Sequence, residues 1–331
     1  MITFRRMRLF RFLPGLSGFL VAIALVGGGV AAELDVRTVL DGKIIRALAV
    51  DPADPSRALV GQKGGAPGSA LVLESRDGGE TWRALNGGAS LSPEATDVQA
   101  VAVVGGDVVL AGTWKHGLFV SRDSGGTFER HAGFPSSDIR DFHVIADGGG
   151  AVVYAATARD GVFLSTDAGE TWRSLGPGRD FFWSLAGLRD GRAVYAVSLE
   201  KAVYSLLRPA GDWRRIFRDD DGYALAAGAN GTALAIAAQT GAYLSPDQGT
   251  SWRPIAALKG EKLSSVLYVA DGTPLFGSWS DGLIRVDSAN GAVKRILPGT
   301  PVVHLAVSGD RLLVGTWGQG LKLVPLSAVA R

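Results

Sequence analysis

Residues 75–82 read SRDGGETW, and near-copies follow at residues 121–128 (SRDSGGTF), 165–172 (STDAGETW) and 245–252 (SPDQGTSW). The second and third copies start 46 and 44 residues after the copy before them. The fourth starts 80 residues later, which corresponds to two periods of about 40. A constant period in this range is typical of solenoids, propellers and other arrays, so the fold is expected to consist of repeated units.

These octads predict tight hairpin turns between short strands. Such a turn needs a residue that tolerates positive φ, and glycine supplies it at Gly79, at Gly125 or Gly126, at Gly169 and at Gly249. The closing Trp is expected to pack beside the next sheet. Each turn also has an aspartate that can accept hydrogen bonds from the turn's own amides, and the four are Asp77, Asp123, Asp167 and Asp247. One carboxylate per turn falls short of the several oxygen ligands that calcium takes, so we interpret these aspartates as structural.

The repeats predict seven four-stranded antiparallel blades. A segment rich in Ala, Val and Leu opens each repeat, as expected for a strand buried on both faces, and the seven are residues 45–52, 98–104, 139–146, 182–188, 223–228, 263–270 and 302–307. The last repeat ends too soon for a fourth strand, whereas residues 36–40 have the pattern of one. The sequence therefore predicts an all-β fold, a seven-bladed β-propeller closed by its N-terminal strand.

The S-x-D-x-G-x-T-W pattern resembles the Asp-box, or BNR, repeat of sialidase-like β-propellers. Over nearly all of residues 33–331, the chain is more similar to single-ring propellers of the photosystem II stability/assembly-factor-like group. That resemblance implies an exported binding or assembly protein without chemistry of its own. The similarity to sialidases covers the repeated turns only, since the Phe/Tyr-Arg-Ile-Pro motif of that family does not occur in this sequence. The fourth and sixth repeats depart from the octad, the sixth having Val293 in place of Trp.

Residues 1–32 are predicted to be a targeting segment in front of the propeller at residues 33–331. Four arginines precede an apolar stretch at residues 12–26, and residues 30–32 (VAA) offer the small side chains that a signal peptidase needs. An uncleaved N-terminal anchor is the alternative, because the apolar stretch approaches the ~18 residues that span a bilayer. We expect an exported protein, periplasmic or secreted, that meets the membrane only through this segment if it is retained.

Composition argues against several classes of function. The chain has a net charge of +2, and residues 1–32 hold four arginines and no acid, which leaves −2 for the rest. A near-neutral domain does not favour nucleic-acid binding, which requires a basic patch or stripe. The chain has no cysteine, and its four histidines lack metal-ligand spacing. We therefore predict no nucleic-acid partner, no metal and no cofactor.

Three tryptophans are candidate binding residues. Trp114, Trp279 and Trp317 occupy the same place in the predicted turn between the second and third strands of their blades. In a propeller, these turns and the starts of the inner strands gather on one face around the pore. Exposed tryptophans there would form a surface for a partner or a sugar, whereas buried ones would pack the blade interfaces, and the sequence leaves both interpretations open.

Polar side chains near the starts of the inner strands form a second candidate group. Arg140, Asp141 and His304 are polar where other blades have Ala or Val, Arg46 starts its own inner strand, and Arg159 lies in a neighbouring turn. Converging arginines would suit a carboxylate or a phosphate group. The alternative is a solvated pore with local Arg–Asp pairs.

Two functional hypotheses follow. The first is an exported protein-binding scaffold, or assembly-factor-like propeller, without catalysis and with a protein partner in the cell envelope. The alternative is a carbohydrate-binding or glycoside-hydrolysing propeller, whose chemistry needs two positioned carboxylates. A carboxylate pair beside the tryptophans would favour the hydrolase, and a broad polar and aromatic face would favour the scaffold.

Overall fold

A computed structural model describes residues 35–329 except 70, 148, 149, 177, 179, 189, 201 and 208–210. The described chain forms seven sheets of four strands, and neighbouring strands in every sheet are antiparallel. The predicted seven-bladed β-propeller is therefore confirmed. The predicted targeting segment, residues 1–32, lies outside the described residues.

The strands, numbered in chain order, fill the blades one after another. Blade 1 contains β2 (Ile44–Val50), β3 (Ala58–Lys63), β4 (Val72–Ser75) and β5 (Arg83–Ala84). Blade 2 contains β6 (Val98–Val104), β7 (Val108–Thr113), β8 (Leu118–Ser121) and β9 (Glu129–Arg130). Blade 3 contains β10 (Ile139–Asp147), β11 (Gly150–Thr157), β12 (Val162–Ser165) and β13 (Arg173–Gly176). Blade 4 contains β14 (Phe182–Gly187), β15 (Ala193–Ser198), β16 (Ala202–Leu207) and β17 (Arg214–Phe217).

Blade 5 contains β18 (Gly222–Ala227), β19 (Leu234–Ala238), β20 (Gly241–Ser245) and β21 (Arg253–Pro254). Blade 6 contains β22 (Leu263–Tyr268), β23 (Pro274–Ser278), β24 (Gly282–Val286) and β25 (Val293–Ile296). Blade 7 contains β26 (Val302–Ser308), β27 (Arg311–Thr316), β28 (Leu321–Pro325) and, outermost, β1 (Arg37–Val39). Two 3₁₀ turns (Asn86–Gly88 and Ala256–Leu258) and the short helix α1 (Leu326–Val329) complete the described elements.

The ring closes through both ends of the described chain. Strand β1 pairs with β28, with Thr38 opposite Lys322, as the sequence predicts. The first strand of every blade contacts the first strands of both neighbours, and β26 contacts β2 across the closure. A bridge between Ile44 and Trp317 also ties blade 1 to blade 7. The first strands therefore surround a central pore.

The hydrophobic core is divided among the spaces between neighbouring blades. Between blades 2 and 3, for example, Leu110, Val153 and Phe163 are buried in one cluster. Burying each such side chain contributes about 1.5–3 kcal/mol relative to leaving it exposed. The blades approach closely at Gly112, where a Cβ would lie 2.6 Å from the Cβ of Ile139 in the next blade. Glycine is required there because any side chain would push the two blades apart.

The octads form closed turns that satisfy their own polar groups. In the third copy, Asp167 accepts hydrogen bonds from the Thr171 amide (2.9 Å) and the Ser165 hydroxyl (2.7 Å), and Ser165 Oγ accepts one from the Gly169 amide (2.8 Å). The other three copies repeat these bonds. In the second copy, bonds from the Thr127 amide and from the Ser121 and Thr127 hydroxyls lower the pKa of Asp123 to about 2.

Two details of the octads differ from the prediction or refine it. The positive φ in the second copy belongs to Gly125 (88°), and a second positive φ precedes the glycine in each copy, as at Ala168 (57°). The tryptophan packs against the preceding blade and not the next one. Trp252 shows this, because its indole N–H donates to the Ile216 carbonyl of blade 4 (2.9 Å). Each turn therefore fastens its own blade to the one before it.

The ring has two ends, which we call the mouth face and the octad face. The mouth face is the end where the first strands begin and the second strands end. The octad face is the opposite end, where the third strands run into the octads, and β1 also begins there. Among the described residues, no helix is long and apolar enough to cross a membrane.

Candidate binding face at the pore mouth

Every inner strand carries a β-bulge at the same place on the mouth face. The register shifts by one residue just after the first residue of each inner strand, except in β2, where it shifts after the second. A bulge leaves one residue without a partner in the ladder and turns its side chain in a new direction. We call the seven bulged residues the mouth ring: Arg46, Gln99, Arg140, Trp183, Tyr223, Ser264 and Val303.

The three candidate tryptophans lie on the mouth face in one register. The backbone amide of each donates to the residue just before the inner strand of its own blade, as from Trp317 to the Pro301 carbonyl (2.9 Å). Trp114 and Trp317 are each 37% exposed, and Trp279 is half-buried. Trp279 and Trp317 meet edge to face, with ring centroids 5.8 Å apart. The structure thus brings two of the three together, and Trp114 stands apart with Lys115 over its ring at 4.3 Å.

Arg46 lies beside this tryptophan pair. Its guanidinium is 5.5 Å from the Trp317 ring centroid, and Lys63, the last residue of β3, is 5.4 Å from the same ring. Arg46 also pairs with Asp97 (3.6 Å) and donates to Gln99 Oε1. Burial lowers the pKa of Arg46, although a guanidinium stays charged at any physiological pH.

Arg140 reaches the same glutamine from the other side. It donates to Gln99 Oε1 (3.2 Å) and to Asp138 (2.8 Å). Its guanidinium also lies over two aromatic rings, 5.0 Å from Phe181 and 4.9 Å from Trp183. Arg46 and Arg140 therefore converge on one amide oxygen, although they belong to blades 1 and 3.

An aromatic arc continues the mouth ring beyond Arg140. Phe181 and Trp183 stack with centroids 5.8 Å apart, and Trp183 meets Tyr223 edge to face at the same separation. All three rings are half-buried. Around the pore, the mouth ring thus passes from two guanidiniums to aromatic rings and then to the small side chains of Ser264 and Val303.

The other predicted site residues have different surroundings. Asp141 accepts hydrogen bonds from the Leu185 and Phe142 amides (2.8 Å each), so it joins blade 3 to blade 4, and burial raises its pKa to about 6. His304 is half-buried beside Arg46, and burial followed by the charge of Arg46 lowers its pKa to about 4. Arg159 is exposed in the turn after β11. None of these three takes part in the convergence at Gln99.

Several residues of this face were not predicted. Gln99, Asp97, Asp138 and Lys63 surround the arginines, and burial raises the pKa of both aspartates. The sequence position of Gln99 could have identified it, because Gln99 stands at the start of its inner strand just as the two arginines do. Among the described residues, no group of three or more His, Cys, Asp or Glu side chains could hold a metal ion.

The fold and this face define the class of the protein, a single-ring, seven-bladed β-propeller with its candidate site at the pore mouth. No known family model matches the sequence, and no curated protein matches it significantly. One similar solved structure is YCF48 bound to D1 peptide, with a TM-score of 0.68 and 13% identity over 88% of this chain and 96% of that one.

Two further structures share the architecture. YCF48 from Cyanidioschyzon merolae has a TM-score of 0.66 and 15% identity, over 87% of this chain and 97% of that chain. The extracellular domain of a one-component system from B. thetaiotaomicron has a TM-score of 0.66 and 12% identity, over 85% of this chain and 38% of that chain. At these identities the similarity establishes the fold and nothing finer.

Proposed function

We propose that this protein is an exported, periplasmic or secreted, protein-binding scaffold of the assembly-factor-like kind, and that a partner in the cell envelope docks on its mouth face. The observation that carries the proposal is that two partly exposed tryptophans share one face, Trp317 beside the buried Arg46 and Trp114 beside Lys115. Tryptophan and arginine are the residue types that most often dominate the energy of protein interfaces.

The arrangement of the ring supports the same choice of face. The octads satisfy their polar groups internally, whereas the mouth ring presents a broad mixture of cations and rings. Strand β1 begins on the octad face, so a retained N-terminal anchor would attach there and leave the mouth face free. One similar solved structure of the same fold is YCF48 bound to D1 peptide, which is consistent with peptide recognition by such rings.

The test is partner capture by tagged protein purified from its own cell envelope in mild detergent and low salt. We expect one stoichiometric partner, and a loss of at least about tenfold in its recovery with Trp114→Ala and Trp317→Ala combined. Leu207→Ala is the matched control, because Leu207 is 58% exposed and ends β16 on the octad face. Capture unchanged in the double variant, with an unchanged unfolding curve, would contradict the site assignment.

A glycan-binding or glycoside-hydrolysing function remains the second candidate because two carboxylates, Asp97 and Asp138, do lie near the tryptophans. Both have raised pKa values through burial, as a general acid would. Each is nevertheless paired with an arginine, and Asp97 is only 2% exposed. Turnover of any substrate in a glycoside panel, abolished by Asp138→Asn, would replace the scaffold proposal with this one.

A further inference from the structure

Gln99 holds two guanidiniums together at the mouth. Its Oε1 accepts from Arg46 and Arg140, while its Nε2 donates to Asp97 (2.6 Å). We call Arg46, Gln99 and Arg140 the arginine bridge. Two like charges on one neutral oxygen repel each other, and the charge of Arg140 contributes to lowering the pKa of Arg46, after the larger effect of burial. Such a pair gains stability from any anion that reaches both cations.

The arginine bridge keeps unused donors. The Nε of Arg140 is buried and has no hydrogen-bond partner among the described residues, and the Nε of Arg46 is buried with only a long ion-pair contact to Asp97 Oδ1 (3.6 Å). Arg46 is 8% exposed, and the side chain of Arg140 is 9% exposed. Phe181 and Trp183 cover the flat face of the Arg140 guanidinium, and its Nη1 and Nη2 already donate to Gln99 and Asp138. The Nε–H and the second N–H of each Nη are what remain for a ligand. Leaving a buried donor such as Arg140 Nε without a partner is unfavourable, and a suitable ligand would remove that cost.

The local charge favours an anion of low charge. Four cations (Arg46, Lys63, Lys115 and Arg140) act on two carboxylates, Asp97 and Asp138. The surplus of about two positive charges attracts an anion, and the flanking aspartates disfavour a dianion such as phosphate. A carboxylate has one charge and two coplanar oxygens, which match N–H donors from two guanidiniums.

We propose that the arginine bridge is a carboxylate-binding site, and that the envelope partner presents an Asp or Glu side chain or a C-terminal carboxylate to it. The inference rests on the proposed function, since it names the chemistry by which the mouth face recognises its partner. The neighbouring Trp317 and the aromatic arc then hold the residues on either side of that carboxylate.

The test is an NMR titration of protein purified from its own cells after selective ¹⁵N-arginine labelling. The probes are N-acetylglutamate α-amide, which carries a side-chain carboxylate, and N-acetylalanine, which carries a terminal one. Their neutral counterparts are N-acetylglutamine α-amide and N-acetylalanine amide. We expect saturable shifts of the Arg46 and Arg140 Nε–H signals with one or both acids, at constant ionic strength, and affinity at least about tenfold weaker for the amides.

Arg253 lies in β21 on the outer edge of blade 5 and donates to the Ser288 carbonyl of blade 6. It is the internal control and should not shift. The acid that binds more tightly identifies the source of the carboxylate. Arg140→Gln should abolish saturation, and Arg253→Gln should not. Because the titration of the unmodified protein is decisive, the proposal stays testable even if Arg140→Gln fails to fold. Absence of saturation up to about 50 mM, or equal shifts with the amides, would overturn it.

The result of the titration can be distinguished from the result of the partner-capture experiment. Failure of the titration, with partner capture still lost in the double tryptophan variant, would overturn the carboxylate site and leave the protein-binding face standing. Saturation of the arginine signals without any captured partner would support the site and overturn the scaffold.

Discussion

The octad face and the mouth face use repeated positions in opposite ways. On the octad face, four blades place the same Ser, Asp and Gly at the same positions, and these residues bond to one another. On the mouth face, seven blades share one bulge, yet the bulged residue changes from Arg to Gln, Trp, Tyr, Ser or Val. A residue that recurs together with its hydrogen-bond partners indicates a structural role. A shared position that is occupied by different residues is what we expect of a surface that recognises a partner.

The largest effect on stability is expected beside the first octad. Glu74 is fully buried and accepts hydrogen bonds from Arg57 (2.8 Å), Arg76 (3.0 Å) and Arg83. Glu74→Ala leaves the buried Arg57 with only the longer contact to Asp51 (3.5 Å) as a carboxylate partner, so we expect a loss of about 3–5 kcal/mol in the free energy of unfolding, measured with urea. The exposed control Glu94→Ala should stay within about 0.5 kcal/mol. A loss below about 1 kcal/mol for Glu74→Ala would mean that this face is not held by its polar groups.

A pH-dependent effect is expected next, between blades 3 and 4. Burial raises the pKa of Asp141 to about 6, above the value near 3.9 of an unfolded chain. The stability associated with the protonated group is therefore fully present below pH ~4 and is lost as the pH rises through about 6. Asp141→Asn cannot ionise, so relative to the unmodified protein it should gain about 1–3 kcal/mol between pH 4 and pH 7.5.

Urea unfolding of both proteins at the two pH values measures this difference directly. Burial lowers the pKa of His143 to about 4, but the histidine is present in both proteins and its contribution cancels. A difference that stays constant with pH, or that favours the unmodified protein at pH 7.5, would show that Asp141 is not desolvated between blades 3 and 4.

A smaller effect is expected from a single octad. Asp167→Ala removes the acceptor for the Thr171 amide and the Ser165 hydroxyl, which is comparable to the loss of a helix cap. We expect a loss of about 1–2 kcal/mol in the free energy of unfolding and unchanged partner capture. Thr166→Ala, at the exposed second position of the same octad, is the matched control. If folded Asp167→Ala captured less partner, the octad face could not have a purely structural role.

The sequence predicted the elements that depend on repetition. The blade count followed from seven Ala-, Val- and Leu-rich segments, because a strand between two blades must be apolar on both faces. The closing strand followed from the missing fourth strand of the last repeat. Both are local patterns, so they can be recognised without knowing which blades touch.

The arginine bridge could not be predicted in the same way. Gln99 is 53 residues from Arg46 and 41 residues from Arg140, and they meet only because the ring and its bulges place them side by side. A bulge of this kind has no residue signature, since seven positions use six residue types. Polarity alone groups Asp141 with the arginines, yet it faces the Leu185 amide of the next blade. The direction in which the side chain leaves the strand, and not the residue type, decides whether a residue faces the mouth or the next blade.

The most direct test of the contrast between the faces is site-specific photo-crosslinking in the native cell envelope. A photoreactive amino acid would replace Ser280, exposed beside Trp279 on the mouth face, or Thr166, exposed in an octad turn on the opposite face. Our account predicts a crosslinked partner from position 280 and none from position 166. A partner crosslinked from position 166 alone would contradict it, because the repeated octads would then be the binding surface.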